Sequence, residues 1–141
     1  MTAMLDAGPL VTVAENTSPE AMSIRAALER ERGPLIIPAP VTAEVDYLLS
    51  RPHFGDAPLQ FIADIAAGRF SVECLTASEY ATVLQLAQRY RDLRPALADL
   101  SVVVLAHRFG TLRVFTNDVR RFRAITSLSG APFTLLPWDE R

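Results

Sequence analysis

The chain has no lysine, and all 14 of its basic residues are arginine. That absence removes the phosphate-binding lysine of a P-loop, the Schiff-base lysine of aldolases and the lysine that receiver domains require, so those enzyme classes are set aside. Cysteine is almost as scarce. Cys74 alone permits no intrachain disulfide and no zinc site with more than one thiolate, which fits a reducing cytoplasm. The two histidines, His53 and His107, have no second histidine three or four residues away, so a histidine metal site is not expected. Positive charge is not in excess either. A formal net charge of -2 argues against holding nucleic acid by bulk charge, although a local basic patch can still steer a polyanion. No run approaches the ~20 apolar residues needed to span a bilayer. The opening segment, with Asp6 inside it, does not read as a signal peptide, so a soluble cytoplasmic protein with no membrane partner is expected.

Half of the 141 residues are hydrophobic, enough for one sizeable core, and a single domain spanning residues 1–141 is expected. Thr2 to Leu5 reads as a short buried strand. Ser18-Pro19-Glu20 supplies a cap, a first-turn proline and a first-turn acid for a helix to about Arg32, where Gly33-Pro34 breaks it. Leu35 to Ile37 is a strand by its β-branched content, followed by helices from about Val41 to Ser50 and Pro58 to Ala67. Phe70 to Leu75 is a strand whose Val72 and Cys74 face inward, and Thr76 with Glu79 forms a capping box for a helix to about Tyr90. Leu97 to Phe109 is a helix that is apolar all round from Val102 to Ala106, hence the central buried one. Arg113 to Phe115 is a strand, Val119 to Ile125 a short basic helix and Phe133 to Leu136 a last strand. Short apolar strands alternating with helices imply an α/β protein of three layers, α/β/α, around a central, mostly parallel sheet.

Four acids stand out against this apolar background. Asp6 closes the run Ala3-Met4-Leu5, and Asp118 follows Val114-Phe115-Thr116-Asn117. Both fall just past the carboxyl ends of strands, the edge at which open α/β sheets bind ligands. Glu44, between Val41 and Leu48, and Asp99, with Val102, Val103 and Ala106 on its helical face, interrupt apolar stripes on the buried faces of helices near their amino termini. Singly, each has an ordinary explanation: Asp99 and Asp118 as helix caps, Asp6 as an acceptor of turn amides, Glu44 as a partly exposed side chain. Together, carboxylates brought to one edge repel one another and raise one another's pKa values unless a cation neutralises them. Oxygen-only ligands select hard ions such as Mg²⁺ or Mn²⁺, which also bind phosphate oxygens. Metal-assisted phosphodiester hydrolysis without a protein nucleophile is therefore the chemistry this set suggests.

In chain order, Leu5-Asp6-Ala7, Ala43-Glu44-Val45, Leu97-Ala98-Asp99-Leu100-Ser101 and Phe115-Thr116-Asn117-Asp118 resemble the four acidic motifs of PIN-domain nucleases. The resemblance spans nearly the whole chain and is nearest to the VapC-like toxins of type II toxin-antitoxin pairs. Tyr90-Arg91-Asp92-Leu93 and Arg120-Arg121-Phe122-Arg123 add to it. It implies a PIN-like fold and a homodimeric endoribonuclease toxin that depends on Mg²⁺ or Mn²⁺ and is inhibited by a small antitoxin protein bound in or beside the acidic site. It assigns Asp6, Glu44, Asp99 and Asp118 to catalysis and metal coordination. Thr116 matches the hydroxyl residue two places before the fourth acid, and Asn117 gains a role in positioning a water. One departure is visible: many family members carry a hydroxyl residue one or two places after the first acid, where this chain has Ala7 and Gly8. A hydrogen bond behind the first acid is therefore expected to be missing, which lowers rate or metal affinity.

Arg120 and Arg121 rank first as contacts to RNA phosphates because they follow Asp118 directly, while Arg89, Arg91 and Arg94 form a second basic cluster; a solvated face explains either group equally well. Phe133 and Trp138 are expected to pack over the last strand rather than stack on bases. Met22, Leu28, Leu48, Leu49, Phe54, Leu59 and Phe61 form either core or an apolar surface suited to a dimer or an antitoxin. Two other readings compete. A haloacid-dehalogenase-like phosphatase also begins with a strand-end Asp, but needs a second Asp where Gly8 stands and a later lysine. A PIN-like module that binds protein or RNA without cutting it is compatible with the Ala7-Gly8 departure.

Overall fold

Every residue of the first strand, Ala3–Leu5, is fully buried, although successive side chains of a strand point to opposite faces. Such a strand requires cover on both sides. The computed structural model, which describes residues 1–15 and 17–140, supplies that cover by alternating strands with helices: β1 (Ala3–Leu5), α1 (Ala7–Glu15), α2 (Pro19–Arg30), β2 (Leu35–Pro38), α3 (Ala39–Leu49), α4 (Ala57–Ala66), β3 (Ser71–Glu73), α5 (Ala77–Arg89), α6 (Leu97–Arg108), β4 (Arg113–Phe115), α7 (Val119–Ala124) and β5 (Thr134–Leu136). The five strands form one sheet in the order β3-β2-β1-β4-β5, and all four pairings are parallel. This is an α/β/α architecture, and the sheet is wholly rather than mostly parallel.

The strand order has a functional consequence. From β1 the chain moves outward to β2 and β3, then returns to the other side of β1 for β4 and β5. The crevice at the carboxyl ends of β1 and β4 is therefore the topological switch point, where adjacent connections leave in opposite directions. The register Leu5↔Phe115 sets those two ends level, and the Asp6 amide extends the ladder to the Phe115 carbonyl at 2.9 Å.

Most elements fall where the sequence puts them. The Ser18 cap and the Thr76–Glu79 capping box both form. In α6 every residue from Leu100 to Ala106 is buried, as an all-round apolar helix must be. One helix is unforeseen. No element is expected from sequence between Asp6 and Ser18, yet Pro9 is the third residue of α1, in a first turn whose amides have no intrahelical acceptor, so proline costs nothing there. One orientation is reversed: Cys74 lies beyond the end of β3 and is exposed, and Val72 is only half-buried, because β3 is an edge strand. Gly33 is required at its site, since a Cβ there would lie 1.8 Å from the Met1 carbonyl oxygen. Among the described residues no helix is long and apolar enough to cross a membrane.

Candidate active site at the carboxyl edge of the sheet

Asp6 is the innermost acid. It follows β1 and is buried, and both of its oxygens are engaged: Oδ1 accepts from the Ala7 amide at 2.9 Å and Oδ2 from the Thr116 hydroxyl at 2.8 Å. Thr116 Oγ1 also accepts from the Asp118 amide at 2.9 Å, so one fully buried hydroxyl fixes the first acid and the backbone of the fourth. Burial raises the Asp6 carboxyl from its usual 3.8 to about 6 against the opposing effect of its Thr116 and Ala7 donors, with the charges of Asp99 and Glu44 adding to the rise.

Glu44 stands on α3 between buried Val41 and Val45, but its own position is at the exposed rim rather than on the buried face expected from the sequence. Residue 44 is three positions from Val41 and one from Val45, which turns it about 60° from the first and about 100° from the second, off the buried stripe. Partial burial and the Asp99 charge still raise its carboxyl, which identifies Glu44 as a neighbour of Asp99. Among the described residues it has no hydrogen-bond or ion-pair partner.

Asp99 lies in the first turn of α6, where Oδ2 accepts from the Ala96 amide at 2.9 Å. Asp118 caps α7, with Oδ1 accepting from the Arg121 amide at 3.1 Å. The ordinary capping explanation is therefore true of both, and it does not exhaust them. The Arg121 guanidinium donates from Nη1 to Asp99 Oδ2 at 2.8 Å and from Nε to Asp118 Oδ2 at 3.1 Å, joining the third and fourth acids. Its Nη1 also lies 3.5 Å from the carbonyl of Arg94, a residue held at φ 47° in the left-handed region. Arg121, ranked from sequence as a phosphate contact, is thus engaged with carboxylates, whereas Arg120 is exposed and without a partner among the described residues.

Asn117 is exposed beside these acids, and its Nδ2 donates to Thr12 Oγ1 on α1 at 2.9 Å. A Cβ at position 8 would lie 3.0 Å from Asn117 Nδ2, so Gly8 is what lets α1 and Asn117 approach. This accounts for half of the Ala7-Gly8 departure, and both Asp6 oxygens have donors without a hydroxyl there. Thr12 has no signal in the sequence, because α1 itself is concealed by Gly8-Pro9. Trp138 donates from Nε1 to the Thr116 carbonyl at 2.7 Å, and Phe133 is buried against Phe122, so both aromatics serve packing.

The donor set suits a hard divalent cation: it offers carboxylate, hydroxyl and amide oxygens, with neither imidazole nor thiolate, and the mutual charge of Asp6, Glu44 and Asp99 favours a cation among them. Among the described residues, however, no three His, Cys, Asp or Glu side chains stand close enough together to hold an ion jointly as they are arranged here. Away from this edge, an apolar groove of about 710 Å³ is lined by Leu10, Val13, Leu28, Leu49, Phe54 and Leu59, which span α1 to α4. Of the apolar residues singled out from sequence, Leu49 and Phe61 are core, whereas Met22 and Leu59 are exposed.

A family model for the PIN domain matches residues 3–128. The chain is 28% identical over 134 residues to Ribonuclease VapC26 of Mycobacterium tuberculosis, covering 95% of this chain and 99% of the relative. In fold it is similar to the crystal structure of Mycobacterium tuberculosis VapC20, a toxin that cleaves the sarcin-ricin loop. That superposition has a TM-score of 0.73 at 14% identity, covering 84% of this chain and 93% of the other.

Proposed function

The chain belongs to the PIN-domain family, and from that premise we propose that it is the endoribonuclease toxin of a toxin-antitoxin pair, hydrolysing RNA phosphodiester bonds with bound Mg²⁺ or Mn²⁺. The observation that carries this reading is the gathering of Asp6, Glu44 and Asp99 at the β1/β4 switch point, where burial and mutual repulsion push Asp6 up to about 6. A polyanion has no reason to approach such a site unless a cation mediates. Asp6, Glu44, Asp99 and Asp118 would hold that cation. When bound it supplies Lewis acidity to a phosphate oxygen and lowers the pKa of a water, so no side-chain nucleophile is needed.

The remaining work falls to side chains around the acids. Thr116 fixes the orientation of Asp6 and the backbone at Asp118 from a single hydroxyl. Asn117, anchored by Thr12, keeps its Oδ1 available to orient an attacking water. Arg120, exposed next to the fourth acid, would meet a substrate phosphate. The reading extends to a homodimer in the cytoplasm, to one functional domain over residues 1–141, and to an antitoxin whose apolar segment fits the groove along α1 to α4.

The test is cleavage of total cellular RNA by the purified protein with Mg²⁺ or Mn²⁺, beside EDTA and Asp99→Asn controls. Discrete fragments that vanish in both controls are expected. Intact RNA under every condition would overturn the ribonuclease reading in favour of a PIN-like binding module.

A further inference from the structure

Four carboxylates are brought to the carboxyl edge of the sheet, but their charges are compensated unequally. Asp6 and Glu44 have no cationic partner among the described residues, whereas Asp99 and Asp118 share one guanidinium. That guanidinium is built in from two directions. Arg121 lies three residues after Asp118 on α7, so the helix holds it over the capping carboxylate, and its Nη1 then crosses 22 positions of sequence to Asp99 on α6. Its side chain is 27% exposed, leaving a path outward to solvent.

We infer that Arg121 is the resident counter-ion of the metal-free site: its guanidinium holds Asp99 and Asp118 in place of the divalent cation, and must release at least one of them when the cation binds. The inference rests on the reading of these acids as cation ligands. Two cations cannot share the same carboxylate oxygens without strong repulsion, so the guanidinium and the divalent ion compete for Asp99 Oδ2 and Asp118 Oδ2. Competition makes the apparent metal affinity weaker than the four acids would give alone, by the factor that the bridged state is favoured over the open one. It also keeps the bridged acids from repelling one another before the ion arrives. Once released, the guanidinium lies at the rim with its forked donors free, suited to a non-bridging phosphate oxygen of a bound polyanion. Arg121 is thus a positioning residue that couples ion loading to substrate readiness.

The experiment is Mn²⁺ binding, followed by the electron paramagnetic resonance of free Mn²⁺, to wild type, Arg121→Gln and Arg121→Lys, with Arg69→Gln at the opposite edge as the charge control. Arg121→Gln is expected to bind Mn²⁺ about tenfold more tightly, Arg121→Lys to lie between it and wild type, and Arg69→Gln to match wild type. In EDTA, Arg121→Gln should melt lower than wild type, with the gap narrowing at saturating Mn²⁺. Equal or weaker Mn²⁺ binding by Arg121→Gln would overturn the inference while leaving the metal site intact, and no Mn²⁺ binding by wild type would remove the site itself. If the variants fail to fold, the wild-type ¹⁵Nε–¹H resonance of Arg121 decides: it should shift and exchange faster on adding Mg²⁺, and an unchanged resonance at saturating Mg²⁺ would overturn the inference.

Discussion

The two ends of strand β4 carry ionic clusters of opposite design. At its start, Arg113 donates to Glu31, which follows α2, and to Glu140 in the carboxyl-terminal turn, the latter at 2.5 Å from Nη1. One cation meets two acids, hydrogen bonding to Arg113 lowers the Glu140 carboxyl, and Arg113 itself is held more firmly protonated. Just past its end, Thr116 to Asp118 join Asp6, Glu44 and Asp99, and there Asp6 and Glu44 are raised. Five positions, from Arg113 to Asp118, separate a cluster in which both acids have a cationic partner from one in which, among the described residues, Asp6 and Glu44 have none. The first cluster ties the tail and α2 to the sheet, whereas the unpaired acids of the second carry a free-energy cost that a bound cation would relieve.

The contrast can be broken at either end. The largest effect is expected from Asp99→Asn, which should slow RNA cleavage on the order of 10³-fold, ~4 kcal/mol of transition-state stabilisation, with the melting temperature little changed. Retained cleavage in that variant would break the functional half of the comparison. Next comes Arg113→Ala, which strands Glu31 beside the core and should lower stability by about 3 kcal/mol in urea denaturation, with activity per folded molecule unaltered. A comparable loss of activity below the unfolding transition would show that the two ends are not separate. Asp6→Asn is expected to act in the opposite direction, on stability rather than on rate. Because the folded-state pKa of about 6 lies above the usual 3.8, the native state binds the extra proton between those values, so wild-type stability falls as pH rises through that window. In EDTA at pH 7.5 the variant should be more stable than wild type by up to about 3 kcal/mol, with the advantage gone near pH 4. A destabilised variant at pH 7.5 would contradict it. The smallest effect is Thr116→Val, expected to weaken Mn²⁺ affinity or cleavage by roughly 10–100-fold through the loss of the hydroxyl behind Asp6. An unchanged Mn²⁺ isotherm and rate would show that Asp6 needs no such support.

Much of this was legible in the chain itself. Strand and helix alternation gave the α/β/α architecture because each short apolar run had to be covered on both faces, and α6 announced its burial by having no polar side from Val102 to Ala106. The four acids were legible because each breaks an apolar pattern. Helix α1 was hidden by Gly8-Pro9, two poor helix formers that are tolerated only because they occupy its first turn. With α1 went Thr12 and the reason for Gly8, since neither has meaning until Asn117 is packed against that helix. Glu44 kept its neighbours but not its depth, because an exposed rim and a buried stripe differ by a single residue of helical phase. Arg121 looked like a free basic residue because its partner Asp99 is 22 positions away, a distance that only the strand order closes.

The most direct test of the account is thermal unfolding of the wild type at pH 7.5 in EDTA and across a series of Mn²⁺ concentrations, beside Asp6→Asn. A ligand that binds only the native state raises its stability with the logarithm of concentration once above the dissociation constant. The wild-type melting temperature should climb in that way while Asp6→Asn shows little or no rise. A flat wild-type profile up to millimolar Mn²⁺ would contradict the claim that the unmatched acids at the end of β4 form a cation site.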